Sequence, residues 1–484
     1  VELQTISNRL PIKLVRISGK FSMNPSVGGL TTGLSSLDES YHIKWMGWPG
    51  IIIRDENQKK EASELLSKKK FTPIWYSKED YDLHYKGFCN KVIWPLFHYF
   101  GRFAEYKKKY WDAYYKINQL FCEQIVARYK QKSIVWIHDY HLMLLPKLLR
   151  EKLPDAKIGF FLHIPFPHYE MFRELPWRKE IIEGLSGADL IGFHSRQYAN
   201  YYLHAVSKTL NVEIADHRYV FNNRNVHVDG FPMGIDANKF ANQSRNPDVL
   251  KIAKTFQTEF ANQKVVLSVD RLDYTKGIMQ RLEAIYKFLL NNKKWRGKIS
   301  FLNLIVPSRT SVDKYQIKKQ EIDELVGRIN GEFGTPFWTP IKYFFRSFDF
   351  DRLCALYCIA DICLVTPFRD GMNLVSKEYV MCKTNSPGIL ILSEFAGAAN
   401  QLKDAILINP NDKSQIINAL EQSLAMTEEE KMVRMKKMQK TIKKFDINDW
   451  AKQFLEKLSH PEAFHWNTKL KNTEKDISEL TGQH

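Results

Sequence analysis

Short apolar runs of strand length alternate with helical patterns along most of this chain, and each run ends abruptly in polar residues. The run 134–137 is followed at once by His138-Asp139-Tyr140-His141, the run 158–162 by His163-Ile164-Pro165, and the run 190–193 by His194-Ser195-Arg196. Helical spacing over 142–149 and 178–185 separates them. Strands that alternate with helices are joined by right-handed crossovers and build a parallel sheet. All strands of such a sheet end on one edge. The polar endings are therefore expected to gather there, where open α/β sheets bind ligands.

The pattern pauses in VHVDGFPMGIDANKF, where Gly230, Pro232 and Gly234 turn the chain, and then restarts. The run 265–269 leads into Asp270-Arg271-Leu272-Asp273-Tyr274-Thr275-Lys276-Gly277, the run 299–306 into Pro307-Ser308-Arg309, and the run 362–365 into TPFRDGMN. At 484 residues the chain has room for two or three domains. The expected fold class is α/β, with domains at 1–243 and 244–450 facing each other across a cleft. A C-terminal helix and polar tail over 451–484 are expected to pack back on the first domain, and the bend at 230–234 and that return are candidate hinges.

Several stretches could carry a ligand. Residues 366–371 open onto a helical pattern from about Met372, and unpaired N–H groups at a helix N-terminus favour phosphate. Glu378 lies about one turn further, where a carboxylate could hold a sugar diol. A capping Asp370 and a solvated Glu378 explain the same residues. Arg271 and Lys276, five residues apart, could meet one diphosphate or be ordinary surface cations. Gly28-Gly29 suits a close backbone approach. Tyr85, Trp94 and Phe97, in an aromatic stretch, could line a sugar-binding wall or pack a core.

Composition removes other classes. A hydrophobic content of 44% with 13% aromatics belongs to a globular chain. No apolar run approaches the ~20 residues of a membrane span, and no signal-peptide pattern opens the sequence. The six cysteines include no CxxC pair, so buried thiols in a reducing compartment, the cytoplasm, are expected. No P-loop, G-x-G-x-x-G, G-x-S-x-G or H-E-x-x-H motif occurs. HDYH lacks a matched fourth ligand, so no metal site is expected. The net charge of +17 admits nucleic acid or a phosphorylated small substrate. The lysines are scattered as on solvated helix faces, so nucleic acid is not expected as a partner.

SNRLP, GGLTTGL, FCNKVIWPLFHY, WIHDYHLMLLP, FFLHIPFP, RLDYTKG, PSR, GRINGEFG, TPFRDGMNLVSKEYV and SEFAGAAN occur together and in this order. Taken together they resemble the trehalose-6-phosphate synthases, retaining glycosyltransferases of the GT-B fold with two Rossmann-like domains. The resemblance runs from about residue 5 to about 455. It implies transfer of glucose from UDP-glucose to glucose 6-phosphate, giving α,α-trehalose 6-phosphate and UDP, without cofactor or metal. It further implies small-molecule substrates and synthase activity only, and the lack of a span-length apolar run leaves no membrane partner expected. Whether the chain forms a homo-oligomer or a complex with a trehalose-phosphate phosphatase is left open.

Carried onto this chain, Arg9 and Arg309 resemble ligands of the acceptor phosphate, beside the backbone of Gly28 and Gly29. Tyr85 and Trp94 resemble the acceptor wall, with Trp48 beside them. Asp139 resembles the acceptor-hydroxyl ligand, and His163 the group at the reaction centre that contacts donor glucose. Arg271 and Lys276 resemble the diphosphate cations, and Asp370 the ligand of donor-glucose hydroxyls. The backbone of Met372, Asn373, Leu374 and Val375 is implied to meet the diphosphate, and Glu378 the ribose. A GT-B relative with another donor or acceptor, or a silent sugar-phosphate-binding regulator, are the competing readings.

These roles separate two variants. Arg309→Ala is expected to raise the glucose 6-phosphate KM, by about 2–4 kcal/mol of binding, the scale of a truncated buried charge pair. Arg271→Ala is expected to lower kcat instead, because its partner charge develops during reaction. Steady-state kinetics with both substrates varied checks both.

Overall fold

The computed structural model describes residues 2–25, 42–260, 263–308, 313–384 and 386–461. Gly28, Gly29, Arg309 and the tail from 462 lie outside the described residues. Among the described residues two large sheets stand out. The first has the order β5-β4-β1-β6-β7-β8-β10-β9, and the second β13-β12-β11-β14-β15-β16. The first is built from β1 (Glu2–Arg9), β4 (His42–Trp48), β5 (Phe71–Pro73), β6 (Ile134–His138), β7 (Lys157–Phe161), β8 (Leu190–Phe193), β9 (Arg218–Phe221) and β10 (Arg224–Gly230). All its pairings are parallel except β9 with β10. The second, parallel throughout, comprises β11 (Lys264–Arg271), β12 (Ile299–Val306), β13 (Ile341–Phe344), β14 (Ile362–Val365), β15 (Ile389–Ser393) and β16 (Ile406–Ile408). A small antiparallel hairpin pairs β2 (Ile12–Ile17) with β3 (Lys20–Pro25).

Register brings the polar endings together. Ser7 pairs with His138, His138 with Phe161, and Phe161 with Gly192. Arg9, Asp139, His163 and His194 therefore leave the sheet at one level, each one or two residues beyond a paired position. Parallel strands have no short return, so every strand must restart from the far edge after a crossover. That geometry, and not any local preference, collects the site residues.

The helices Lys108–Val126, Leu145–Lys152, Arg178–Leu185 and Arg196–Leu210 bury their apolar stripes in the core on one face of the first sheet. The other face is covered by the hairpin, by the helix Glu56–Ser67 and by the last helix, Ile447–Ser459. In that last helix Ile447, Trp450, Ala451, Phe454, Leu455 and Leu458 are buried, an apolar stripe at helical spacing. The Phe454 ring stacks on Trp136 at 4.7 Å. β7 and β8 make room for it with Gly159 and Gly192, where a Cβ would lie 2.7 and 2.8 Å from that ring. Lys457 closes the contact on the buried Asp229 at 2.5 Å.

The chain thus crosses between the sheets twice, and the crossings touch. A Cβ on Gly234 would meet the Asp446 backbone at 2.3 Å, and the Ile447 N–H donates to the Ile235 carbonyl at 3.2 Å. The packing changes over earlier than the expected break after 243. Ile235, Ala237, Phe240 and Ala241 already belong to the second core, because the helix Ala237–Gln243 turns its apolar side there. The last helix likewise starts at 447 rather than 451. β10 occupies 224–230, where the sequence suggests only a turn, because its hydrophobic alternation is short and hidden by the glycine and proline after it. Phe454→Ala is expected to cost about 3–5 kcal/mol, the cost of emptying a large aromatic site in a core. Denaturant unfolding followed by tryptophan fluorescence measures it.

Candidate active site

Between the carboxyl edges of the two sheets lies a cavity of about 300 Å³. Its walls hold Arg9, Tyr85, Trp94, Asp139 and His163 from the first unit, with Arg271, Lys276 and Asp370 from the second.

The first wall is organised by an aromatic stack. Arg9 leaves the end of β1 with its guanidinium 4.7 Å from the Trp48 ring and 5.6 Å from Tyr85, a cation–π arrangement. Trp48 itself is buried beneath Arg9, not on the cavity wall, and stacks on Tyr76 at 5.6 Å. Tyr76 donates to Asn8 Oδ1 at 2.9 Å, which fixes the backbone that delivers Arg9. Tyr85 lies on Tyr81–Ile93, which winds as a π-helix, a rare wide form frequent at functional sites. Trp94 follows directly. Phe97 is in the core rather than on the wall.

Asp139 has φ 74° and ψ 168°, a region open in practice only to glycine. Holding a side-chain-bearing residue there costs about 1–3 kcal/mol, which points to function. Its Oδ1 accepts from the His163 N–H at 3.3 Å. His138 Nδ1 and His163 Nε2 are 3.1 Å apart, and His163 is packed against His194 with ring centroids 5.4 Å apart. Burial pushes His138 and His194 down to about 3. Burial, with the charges His138 and His194 would carry, holds His163 well below the ordinary range. All three are neutral at physiological pH, so each can accept as well as donate.

The second wall is electrostatic. Lys276 holds Asp370 Oδ2 at 2.5 Å, and Asn373 donates to the same oxygen at 3.1 Å. Burial alone would raise the Asp370 carboxyl; the Lys276 charge and these two hydrogen bonds outweigh it and hold it below its usual range. Asn373, at φ 70°, caps the helix Leu374–Cys382 by accepting from the Ser376 N–H at 3.1 Å. Two buried acids brace the Arg271–Lys276 loop. Asp270 pairs with the fully buried Arg281 at 2.8 Å, and Arg281 donates to Thr366 Oγ1 at 3.1 Å. Asp273 accepts from Trp94 Nε1 at 3.4 Å, from the Tyr315 hydroxyl at 3.1 Å and from the Thr275 N–H at 3.0 Å. Gly277, at φ 64°, is needed because a Cβ would sit 2.2 Å from the Thr366 carbonyl.

Other expected site residues lie apart. Met372, Asn373, Leu374 and Val375 are at the start of the helix behind Gly371 and are not on the cavity wall. Glu378, further along that helix, accepts from the Tyr357 hydroxyl at 2.8 Å, and burial raises its carboxyl. Gly28, Gly29 and Arg309 fall outside the described residues. Sequence reasoning passed over His98, which lines the cavity against Trp94, and Asp273, which joins the walls. Both stand inside motifs quoted above, but nothing in their spacing says that they face a cleft. It also passed over Lys377, buried on the same helix, which donates to the Met233 carbonyl and to Gln401 Oε1, both at 2.6 Å. Burial brings Lys377 down to about 7.

Aromatic faces, neutral histidines and a strained carboxylate on one side suit a sugar. The cations Arg271 and Lys276 on the other suit an anionic leaving group. Among the described residues no group of His, Cys, Asp or Glu could hold a metal ion, and no helix is long and apolar enough to cross a membrane. The profile of glycosyltransferase family 20 matches residues 2–460. The chain belongs to glycosyltransferase family 20. Two parallel-sheet units facing across a cleft are the GT-B arrangement of this family's solved structures. A family 20 relative from Candida albicans, an alpha,alpha-trehalose-phosphate synthase [UDP-forming], is 42% identical over 459 residues, covering 94% of this chain and 96% of its own. A bifunctional trehalose-6-phosphate synthase/phosphatase from Thermoproteus tenax is 41% identical over 94% of this chain and 63% of its own. The solved E. coli trehalose-6-phosphate structure bound with UDP-2-fluoro glucose superposes with a TM-score of 0.84 at 32% identity, covering 95% and 99% of the two chains.

The buried histidines tie stability to pH. The unfolded chain takes up these protons near pH 6.5, whereas folded His138 and His194 resist until about 3. Their contribution is complete above pH 6.5 and is lost as pH falls from there toward 3. His138→Asn is expected to flatten that fall by about one proton's slope, read from unfolding free energies across pH 3–7.

Proposed function

We propose that this chain transfers glucose from UDP-glucose to glucose 6-phosphate with retention, forming α,α-trehalose 6-phosphate and UDP. The observation that carries the reading is a cavity walled by both sheets, with aromatic rings and histidines on one side and cations on the other. Atom balance agrees with the relatives' names. Removing one glucosyl unit from trehalose 6-phosphate leaves glucose 6-phosphate, and a UDP-forming enzyme must take that unit from UDP-glucose.

In this reading glucose 6-phosphate lies against Tyr85 and Trp94, with its phosphate toward Arg9, Gly28-Gly29 and Arg309. Asp139 accepts from a hydroxyl of the acceptor sugar, and His163 contacts donor glucose. The bond from donor C1 to the diphosphate oxygen breaks, and the acceptor oxygen bonds to C1 on the same face. The leaving phosphate takes the acceptor proton. Arg271, Lys276 and the helix start at Met372–Val375 stabilise the charge that grows on the diphosphate, while Glu378 holds the ribose. Retaining glycosidases use a free carboxylate nucleophile. Asp370 is instead held by Lys276 and Asn373, which supports a role in positioning donor hydroxyls. The cations supply what a metal would, so the reaction is metal-independent.

Six free cysteines support a reducing compartment, the cytoplasm. The bifunctional relative's name supports association with a trehalose-phosphate phosphatase. UDP release should require both UDP-glucose and glucose 6-phosphate and persist with chelator. Folded protein that releases no UDP sinks the transferase reading. Loss with chelator alone sinks metal independence, and faster turnover with GDP-glucose reassigns the donor.

A further inference from the structure

Arg369, next to Asp370, lies outside the cavity wall yet grips the opposite unit. Its guanidinium lies 3.8 Å from the Tyr99 ring of the first unit and 5.8 Å from Phe395 of the second. It also bears on the hydroxyl of Tyr198, a buried residue of the first unit. Tyr99 is prepared for this contact. It has φ 67°, and its hydroxyl accepts from the His168 N–H at 2.7 Å. Neighbours extend the seam, with Phe100 5.1 Å from Tyr274 and 6.1 Å from Phe368, and Phe103 5.4 Å from Tyr274. This seam is separate from the paired crossings at Gly234 and Asp446.

The same loop carries the chemistry. The Asp370 N–H donates to the Phe395 carbonyl at 3.2 Å, and its carboxylate meets Lys276. Gly371 lets the loop reach the first sheet, since a Cβ there would sit 2.3 Å from the His163 carbonyl oxygen. Three consecutive residues therefore grip the first unit, hold the donor-side carboxylate and abut the His163 strand end.

We infer that Arg369 is a positioning residue, a latch that uses Tyr99 to seat the Asp370 loop against the first unit when the cleft is shut. The inference rests on the transferase reading for its kinetic consequence, but not for the latch itself. A guanidinium suits the task because it stacks on aromatic faces and cannot lose its charge at physiological pH.

The test uses the full chain. Arg369→Met and Tyr99→Leu are each expected to lower kcat for glucose 6-phosphate-dependent UDP release by about 10- to 100-fold, the scale of a misplaced reacting group, with acceptor KM little changed. The double variant is expected to be no worse than the worse single one, since both remove one contact. Tyr99→Phe, which keeps the ring face, is expected to stay within about twofold of the parent kcat. An unchanged kcat in Arg369→Met, or losses that multiply in the double variant, overturns the latch. Without substrate, small-angle X-ray scattering should give a larger radius of gyration for Arg369→Met than for the parent chain, and equal radii overturn the latch. If the parent chain releases no UDP, the transferase reading fails while scattering still decides the latch.

Discussion

Parallel pairing is the constraint on which the rest of this molecule depends. A parallel strand cannot return beside its neighbour without a long crossover, so all strand endings of one sheet share an edge. Residues as distant in sequence as Arg9, Asp139, His163 and His194 become neighbours through the register of the sheet. The second sheet repeats the device with Arg271, Lys276 and Asp370. Neither edge is a transferase site alone. One supplies the aromatic and histidine wall with Arg9, and the other supplies Arg271 and Lys276 with Asp370.

Facing the edges toward each other falls to contacts far from the chemistry. The last helix leaves the second unit and buries Trp450, Phe454 and Leu458 on the first sheet, in space that Gly159 and Gly192 leave free. Both crossings then lie against each other at Gly234, where any side chain would collide with backbone. Lys377 ties the helix behind the Asp370 loop to the Met233 carbonyl beside that crossing. Across the cleft, Asp273 receives Trp94 and the aromatic seam closes over Tyr274.

The electrostatics of the two walls differ for a physical reason. On the first, deep burial keeps histidines neutral, so they offer directional hydrogen bonds without competing for a phosphate. On the second, Lys276 is paired with the buried Asp370, whose carboxylate offsets the cost of taking the ammonium out of water. Asp370 is thereby kept ionised but occupied, which suits holding hydroxyls better than attacking carbon.

Much of this was legible in the residues. Alternating runs announced two parallel sheets, and polar strand endings named Asp139, His163, Arg271 and Asp370, because those signals are local and periodic. Family motifs added roles for Arg9, Tyr85 and Trp94. The hidden part was non-local. Trp48 went beneath Arg9 instead of onto the wall, and the π-helix at Tyr81–Ile93 has no period of its own to read. Asp273 and Arg369 look like ordinary loop residues until their partners, 179 residues back in sequence for Asp273, arrive from the other unit. The sequence by itself determined which side chains end each strand and on which edge, since period and register settle that. Only the tertiary structure decided which ending faces which across the cleft, because that depends on where the last helix packs and on contacts that no local pattern encodes.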